Sequence, residues 1–249
     1  MAKRRLLWIG SVVPEEEYKR ICSLGYRNQQ ASRIAQLNII RGLEKWYEDH
    51  FDFVSGPALP GYPRFRELWV RPCKWKAENG VKGQSASYLN IEYVNRLLKA
   101  RAMKIAAQNV TKEYSAEDEV LIFVNSPHTP FMQTGIRVKK KYPKAKLILV
   151  IPDLPQFMES RASRLKKFLK EIDIQVIRSL LSQFDYYVLY SSHMREHLGL
   201  RKERCVTMEG CATVEDEQLG KERNDKFTFM YSGKTDIKFG LDLRVDAFQ

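Results

Sequence analysis

Two kinds of segment alternate along this chain, and the alternation restricts its fold more than any other feature. Strand-length runs are almost free of polar residues: Leu6-Leu7-Trp8-Ile9, Val120 to Val124 (VLIFV), Lys146 to Ile151 (KLILVI) and Tyr186 to Tyr190 (YYVLY). A strand with one solvated face alternates apolar and polar side chains, so unbroken apolar runs belong to strands covered on both faces. Between them lie longer stretches with helical spacing. Gln29 to Tyr47 places Ala31, Ile34, Ala35, Leu37, Ile40, Leu43 and Trp46 largely on one side. Further helices are read at Ile91 to Lys112, up to Lys141, at Ser160 to Phe184 and at Ser192 to Leu198. Shorter strands are read at Phe51 to Val54 and Cys205 to Met208. Buried strands alternating with amphipathic helices predict an α/β fold with a doubly wound, mostly parallel, Rossmann-like sheet.

Ligands in such sheets bind just beyond the carboxyl ends of the strands. That rule singles out Gly10 and Ser11, the segment Ser126 to Thr129, Asp153, Glu209, and Gly233-Lys234 after an apolar run at Phe227 to Tyr231. His128 follows the clearest strand and lies between Pro127 and Pro130, which stiffen its loop. A histidine there can hydrogen-bond a sugar hydroxyl or a phosphate, or relay a proton. A loop histidine with ordinary hydrogen bonds is the alternative. The Asp153 carboxylate can accept hydrogen bonds from substrate hydroxyls, or it can cap a helix or an Asx turn. The sequence contains no G-x-x-x-x-G-K-[ST], no strand-linked G-x-G-x-x-G and no G-x-S-x-G. This argues against P-loop NTPases, standard dinucleotide enzymes and α/β-hydrolases.

Charge points to an anionic partner. Lys and Arg number 42 against 30 Asp and Glu, a net charge of +12 and a pI near 9.5. The four cysteines are scattered, without zinc-ligand spacing, so no metal is expected and a reducing, cytoplasmic setting fits. Lys3-Arg4-Arg5 and the apolar run after it imitate a signal peptide, but Pro14-Glu15-Glu16-Glu17 cuts the run and no cleavage site follows. The stretch Ala58 to Asn90 is rich in Pro, Gly, Lys and Trp and is read as an irregular excursion with one short strand, Glu67 to Val70. Within it Trp69, Arg71, Lys74, Trp75 and Lys76 interleave aromatics with cations, which leaves single-stranded nucleic acid open as an alternative partner. Arg161, Arg164, Lys166, Lys167 and Lys170 accompany Leu165, Phe168, Leu169 and Ile172 at helical spacing. Such a helix can lie on an anionic membrane, or be a solvated face over ordinary core packing.

Local patterns carry a resemblance. Ile122 to Met158 (IFVNSPHTPFMQTGIRVKKKYPKAKLILVIPDLPQFM) is similar to the amino-terminal domain of family 4 retaining glycosyltransferases, which have the two-Rossmann GT-B architecture. Asn28 to Leu43 resembles that family's first helix, after a loop facing the donor phosphates. Thr207 to Gly210 and Met230 to Lys234, with Phe239-Gly240 and Ala247-Phe248, resemble the crossing into its second domain. The resemblance implies sugar transfer, with retention, from a nucleotide-sugar to a saccharide or lipid-linked acceptor in polysaccharide or glycolipid synthesis. It requires no metal, because fixed cations and helix termini stabilise the leaving diphosphate. It implies His128 and Asp153 as catalytic, Gly10, Ser11, Gly233 and Lys234 at donor phosphates, and Ser126 and Thr129 at the acceptor. Phe239 stands where many members carry a second lysine. The domains implied are 1–210 for the acceptor, 211–226 as linker and 227–249 as the start of an incomplete donor domain. The Glu-x7-Glu donor motif of the second domain has no counterpart between residues 227 and 249. The expectation is therefore half of a GT-B enzyme, inactive alone, peripheral at the inner membrane face or completed by a second chain. A non-catalytic partner subunit is the other reading.

Overall fold

The computed structural model describes residues 3–26, 30–47, 50–76, 82–154 and 164–212. The chain divides into two compact units, Met1–Thr213 and Val214–Gln249, and every described residue belongs to the first. The expected strand at Phe227 to Tyr231, the pair Gly233-Lys234 and the helix near Leu241 lie outside the described residues.

The first unit is built on an eight-stranded sheet. In chain order its strands are β1 (Arg4–Gly10), β2 (Phe51–Ser55), β4 (Lys74–Lys76), β5 (Lys82–Ser85), β7 (Glu119–Asn125), β8 (Lys146–Ile151), β9 (Tyr186–Leu189) and β10 (Cys205–Thr207). Two further strands, β3 (Trp69–Val70) and β6 (Tyr88–Leu89), form a separate antiparallel ribbon. The sheet order is β10-β9-β8-β7-β1-β2-β5-β4, with every pairing parallel except β4 against β5. Numbered along the chain, the parallel strands run 3-2-1-4-5-6-7, the doubly wound order. The order reverses between β1 and β7, which pair from Arg4↔Glu119 to Ile9↔Val124.

The reversal decides which helices cover which face, because parallel crossovers are right-handed. The β1-to-β2 crossover carries α2 (Gln30–Glu44), which packs Ile40 and Leu37 over Leu6, Trp8, Phe51 and Phe53. The opposite face holds Leu7, Ile9, Val54, Ile122, Val124, Leu147 and Leu149. It is covered by α3 (Asn95–Val110), α4 (Thr129–Lys141) and α5 (Arg164–Leu181), through residues such as Met103, Phe131, Ile136 and Ile177. A short α6 (Ser192–Leu198) joins β9 to β10. Among the described residues no helix is long and apolar enough to cross a membrane.

Two regions differ from the sequence expectation. Pro14-Glu15-Glu16-Glu17 starts a helix, α1 (Glu15–Ser23), instead of merely ending a strand. Pro14 is its N-cap, and three glutamates in the first turn meet the positive end of the helix dipole. The excursion after Ala58 contains four short strands where one was expected. The polar strand β5 (KGQS) is the third parallel strand of the sheet. Gly83 is required in it because a Cβ there would overlap the Trp75 ring. The aromatic–cation cluster is also divided. Trp69 is exposed on the β3–β6 ribbon, while Trp75 packs against Gly83 and, 6.3 Å between centroids, against Phe53.

Candidate functional site

Gly10, Ser11, Ser126, His128 and Thr129 all fall at the carboxyl edge of the sheet, around the β1–β7 reversal. β1 ends at Gly10, whose carbonyl accepts a hydrogen bond from Gly56 N–H at 2.8 Å. A Cβ on Gly10 would lie 2.5 Å from Gln36 Oε1 and 2.7 Å from Trp8 Nε1, so only glycine lets the chain pass here. Ser11 is clamped by Gln36 of α2. Ser11 N–H donates to Oε1 at 3.2 Å, and Gln36 Nε2 donates to Ser11 Oγ at 2.9 Å. Gln36 is buried, and the sequence reading had passed over it.

β7 ends at buried Asn125, and the chain passes through buried Ser126 into α4. His128 N–H donates to the Ser126 carbonyl at 2.7 Å. The His128 carbonyl accepts from Phe131 N–H at 2.9 Å and Met132 N–H at 3.0 Å, so His128 is the N-cap residue. Its ring meets the Phe131 ring edge-on, with centroids 5.4 Å apart. Burial, reinforced by the cations Arg96 and Lys99 and only partly opposed by Asp173, pulls the His128 pKa down to about 4. The imidazole is therefore neutral at physiological pH, with one nitrogen to donate and one to accept.

Three residues that sequence reasoning missed complete the site. Asp173 on α5 accepts a 2.6 Å hydrogen bond from Thr129 Oγ1 and forms a close ion pair with Arg96 on α3. Lys99, one turn beyond Arg96, donates its ammonium to the Pro57 carbonyl at 2.7 Å and lies 5.4 Å from the centroid of the Tyr88 ring. Burial, followed by repulsion from Arg96, lowers the Lys99 pKa to about 7. The excursion delivers α3 to this position. Buried Asn90 donates to the Pro60 carbonyl at 2.7 Å and accepts from Asn95, the first residue of α3, at 3.1 Å. A trace of Lys99 was present in the sequence, since it lies four residues before Met103 on the buried stripe of α3. Asp173 likewise precedes buried Ile177 by four.

Asp153 follows the neighbouring strand, β8, at the same edge. It is exposed beyond β8, and its charge acts on Tyr190, whose hydroxyl is raised first by burial, then by Cys211 and Asp153. Among the described hydrogen bonds none joins Asp153 to His128. Gly233 and Lys234 lie outside the described residues. Among the described residues no group of three or more His, Cys, Asp or Glu is placed to hold a metal ion.

No protein-family profile and no curated protein matches the chain. Among solved structures it is similar to the α,α-trehalose 6-phosphate synthase of Burkholderia multivorans, at 8% identity and a TM-score of 0.41, over 79% of this chain and 42% of that one. It is also similar to the UDP-forming α,α-trehalose-phosphate synthase of Burkholderia vietnamiensis, at 6% identity and a TM-score of 0.42, over 79% and 43%. The chain spans less than half the length of these two proteins.

Proposed function

We propose that this chain is the acceptor-holding lobe of a glycosyltransferase, passing a sugar with retention from a nucleotide-sugar to a hydroxyl of a saccharide or lipid-linked acceptor in polysaccharide or glycolipid synthesis. The observation that carries the reading is a neutral, half-buried histidine at the carboxyl edge of a doubly wound sheet, beside the strand reversal. Ligands of this architecture bind there. With its low basicity, His128 suits hydrogen bonding to a sugar hydroxyl better than removal of a proton at neutral pH. Ser126 and Thr129 flank it as acceptor contacts, and Asp153 at the neighbouring strand end accepts hydrogen bonds from substrate hydroxyls.

The tight turn at Gly10-Ser11 permits close backbone approach of the donor diphosphate. Gly233 and Lys234 remain donor-phosphate candidates of the second unit, and the proposed chemistry needs no metal. A lipid-linked acceptor and peripheral association with the inner face of a membrane are supported by α5. Its amino-terminal half exposes Phe168, Leu169 and Ile172 next to Lys167.

Saturation-transfer NMR of the chain with a panel of neutral saccharides tests the acceptor reading. Saccharide signals are expected from the unaltered chain and are expected to vanish in His128→Ala. A chain that transfers no saturation to any saccharide refutes the proposal.

A further inference from the structure

One cation of the site lacks an acidic partner. The Lys99 ammonium meets a carbonyl oxygen and an aromatic face, and no carboxylate among the described residues pairs with it. The groups around it come from every neighbouring element. Arg96 shares its helix, the Pro57 carbonyl follows β2, the neutral Tyr88 phenol stands on β6, and His128 stands at the start of α4. Among the described residues Asp173 on α5 is the acid acting on this cluster, and it is already engaged by Arg96 and by Thr129 Oγ1. Lys99 is half-buried, and a cation removed from water and held only by dipoles is costly, so a packing role would be met better by methionine. Such an imbalance is relieved when a ligand brings the missing charge.

We infer that the acceptor is acidic: a saccharide carrying an oxyanion, phosphate or carboxylate, that Lys99 and Arg96 hold beside His128. This rests on the acceptor-site reading and narrows it to one substrate class. The bound anion keeps Lys99 protonated, so affinity is greatest where the ammonium is charged and declines as pH rises above about 7. Thr129 Oγ1 and the Arg96 fork are placed to share the oxygens once Asp173 yields one of its two contacts.

Calorimetric titration of the whole chain with glucose 1-phosphate, glucuronate and glucose tests this. At least one acidic sugar is expected to bind about tenfold or more tighter than glucose near neutral pH, a step typical of one charge-assisted contact. The better of the two identifies the oxyanion. Lys99→Met should erase the preference and the decline at high pH. It should leave the fold intact or more stable, as its thermal melt will show, because an uncompensated cation has been removed. Lys104→Met, in the cationic cleft of about 280 Å³ between α3 and α4 that Arg137, Lys140 and Lys141 also line, should change neither. Equal affinity for all three sugars, or a preference that survives Lys99→Met, overturns the inference while leaving neutral saccharide binding, and with it the acceptor reading, in place. Loss of the preference in Lys104→Met moves the anion to the cleft and overturns it too.

Discussion

The two ends of this sheet treat charge in opposite ways. At the amino edge, Arg5 pairs with Asp118 at 2.5 Å, with side chains 12% and 3% exposed. Burial alone would raise the Asp118 pKa. Hydrogen bonds from Ser115 N–H and Lys3 N–H, both 3.0 Å, together with the Arg5 guanidinium, outweigh burial and hold the carboxyl below its usual range. Arg5 also lies 4.6 Å from the centroid of the Tyr114 ring, whose hydroxyl donates to buried Asp52 at 2.7 Å. Burial raises the Asp52 pKa in spite of that bond. Asp185 accepts from Leu147 N–H at 2.8 Å and pairs with Lys139 at 2.6 Å. At the carboxyl edge, His128 is held neutral, and among the described residues Lys99 meets no carboxylate and buried Trp8 Nε1 and Ser55 Oγ find no hydrogen-bond partner. The same backbone supports both ends, so the contrast lies in side-chain chemistry. The amino edge closes its polar groups upon each other, whereas the carboxyl edge leaves several of them without such partners among the described residues.

Asp118→Ala strikes the closed edge hardest. It strands a buried guanidinium and should cost about 3–5 kcal/mol, read as a lower urea midpoint. A cost below about 1 kcal/mol would show that the amino edge is not what holds the sheet together. Gly10→Ala at the open edge should cost about 1–3 kcal/mol, because the new methyl must displace Gln36 and Trp8. Its saccharide signals should fall as well, which no substitution at Asp118 should do without unfolding the chain.

His128→Ala should hardly change stability at neutral pH, and its effect appears in acid. The unfolded histidine takes up a proton near pH 6.5, the folded one only near pH 4. The unfolded state therefore binds more protons across that window, and stability falls as pH drops through it. His128→Ala should flatten the slope between these values. Acid loss from the Asp118 pair should persist at lower pH, since its carboxyl pKa is shifted below 3.8. Chemical denaturation at several pH values separates the two edges. Arg96→Ala should cost about 1 kcal/mol, read as a shift in urea midpoint, because the Arg96 side chain is half exposed although its partner Asp173 is mostly buried. Lys167→Glu should be neutral for stability and should weaken sedimentation with anionic vesicles at low salt. Unchanged sedimentation would argue against the membrane reading of α5.

Much of the architecture was legible from residues alone. VLIFV and KLILVI became β7 and β8, because a continuous apolar run has no exposed alternative once the chain is compact. The helix at Ser192 to Leu198 appeared at the expected positions, and Gly199 ends it at φ +63°. β5 was hidden because KGQS lies near the sheet margin, where pairing with β4 and the lid of Trp75 replace intrinsic apolarity. α1 was hidden because Pro14 and its glutamates break a strand and start a helix with the same residues. At the site, proximity to strand ends found Gly10, Ser11, Ser126, His128 and Thr129. It could not find Gln36, Arg96, Lys99 or Asp173, which reach the same edge from three helices.

Hydropathy period and strand-end position thus determined a layered parallel sheet and the edge on which the candidate site lies. Both follow from local rules: a run must bury its apolar faces, and a strand must end somewhere. Only the tertiary structure decided the electrostatics of that edge. A charge takes its pKa from neighbours distant in sequence, and α3 and α5 meet His128 across separations that no spacing rule spans. That Lys99 meets no carboxylate among the described residues is visible only once the helices are in place.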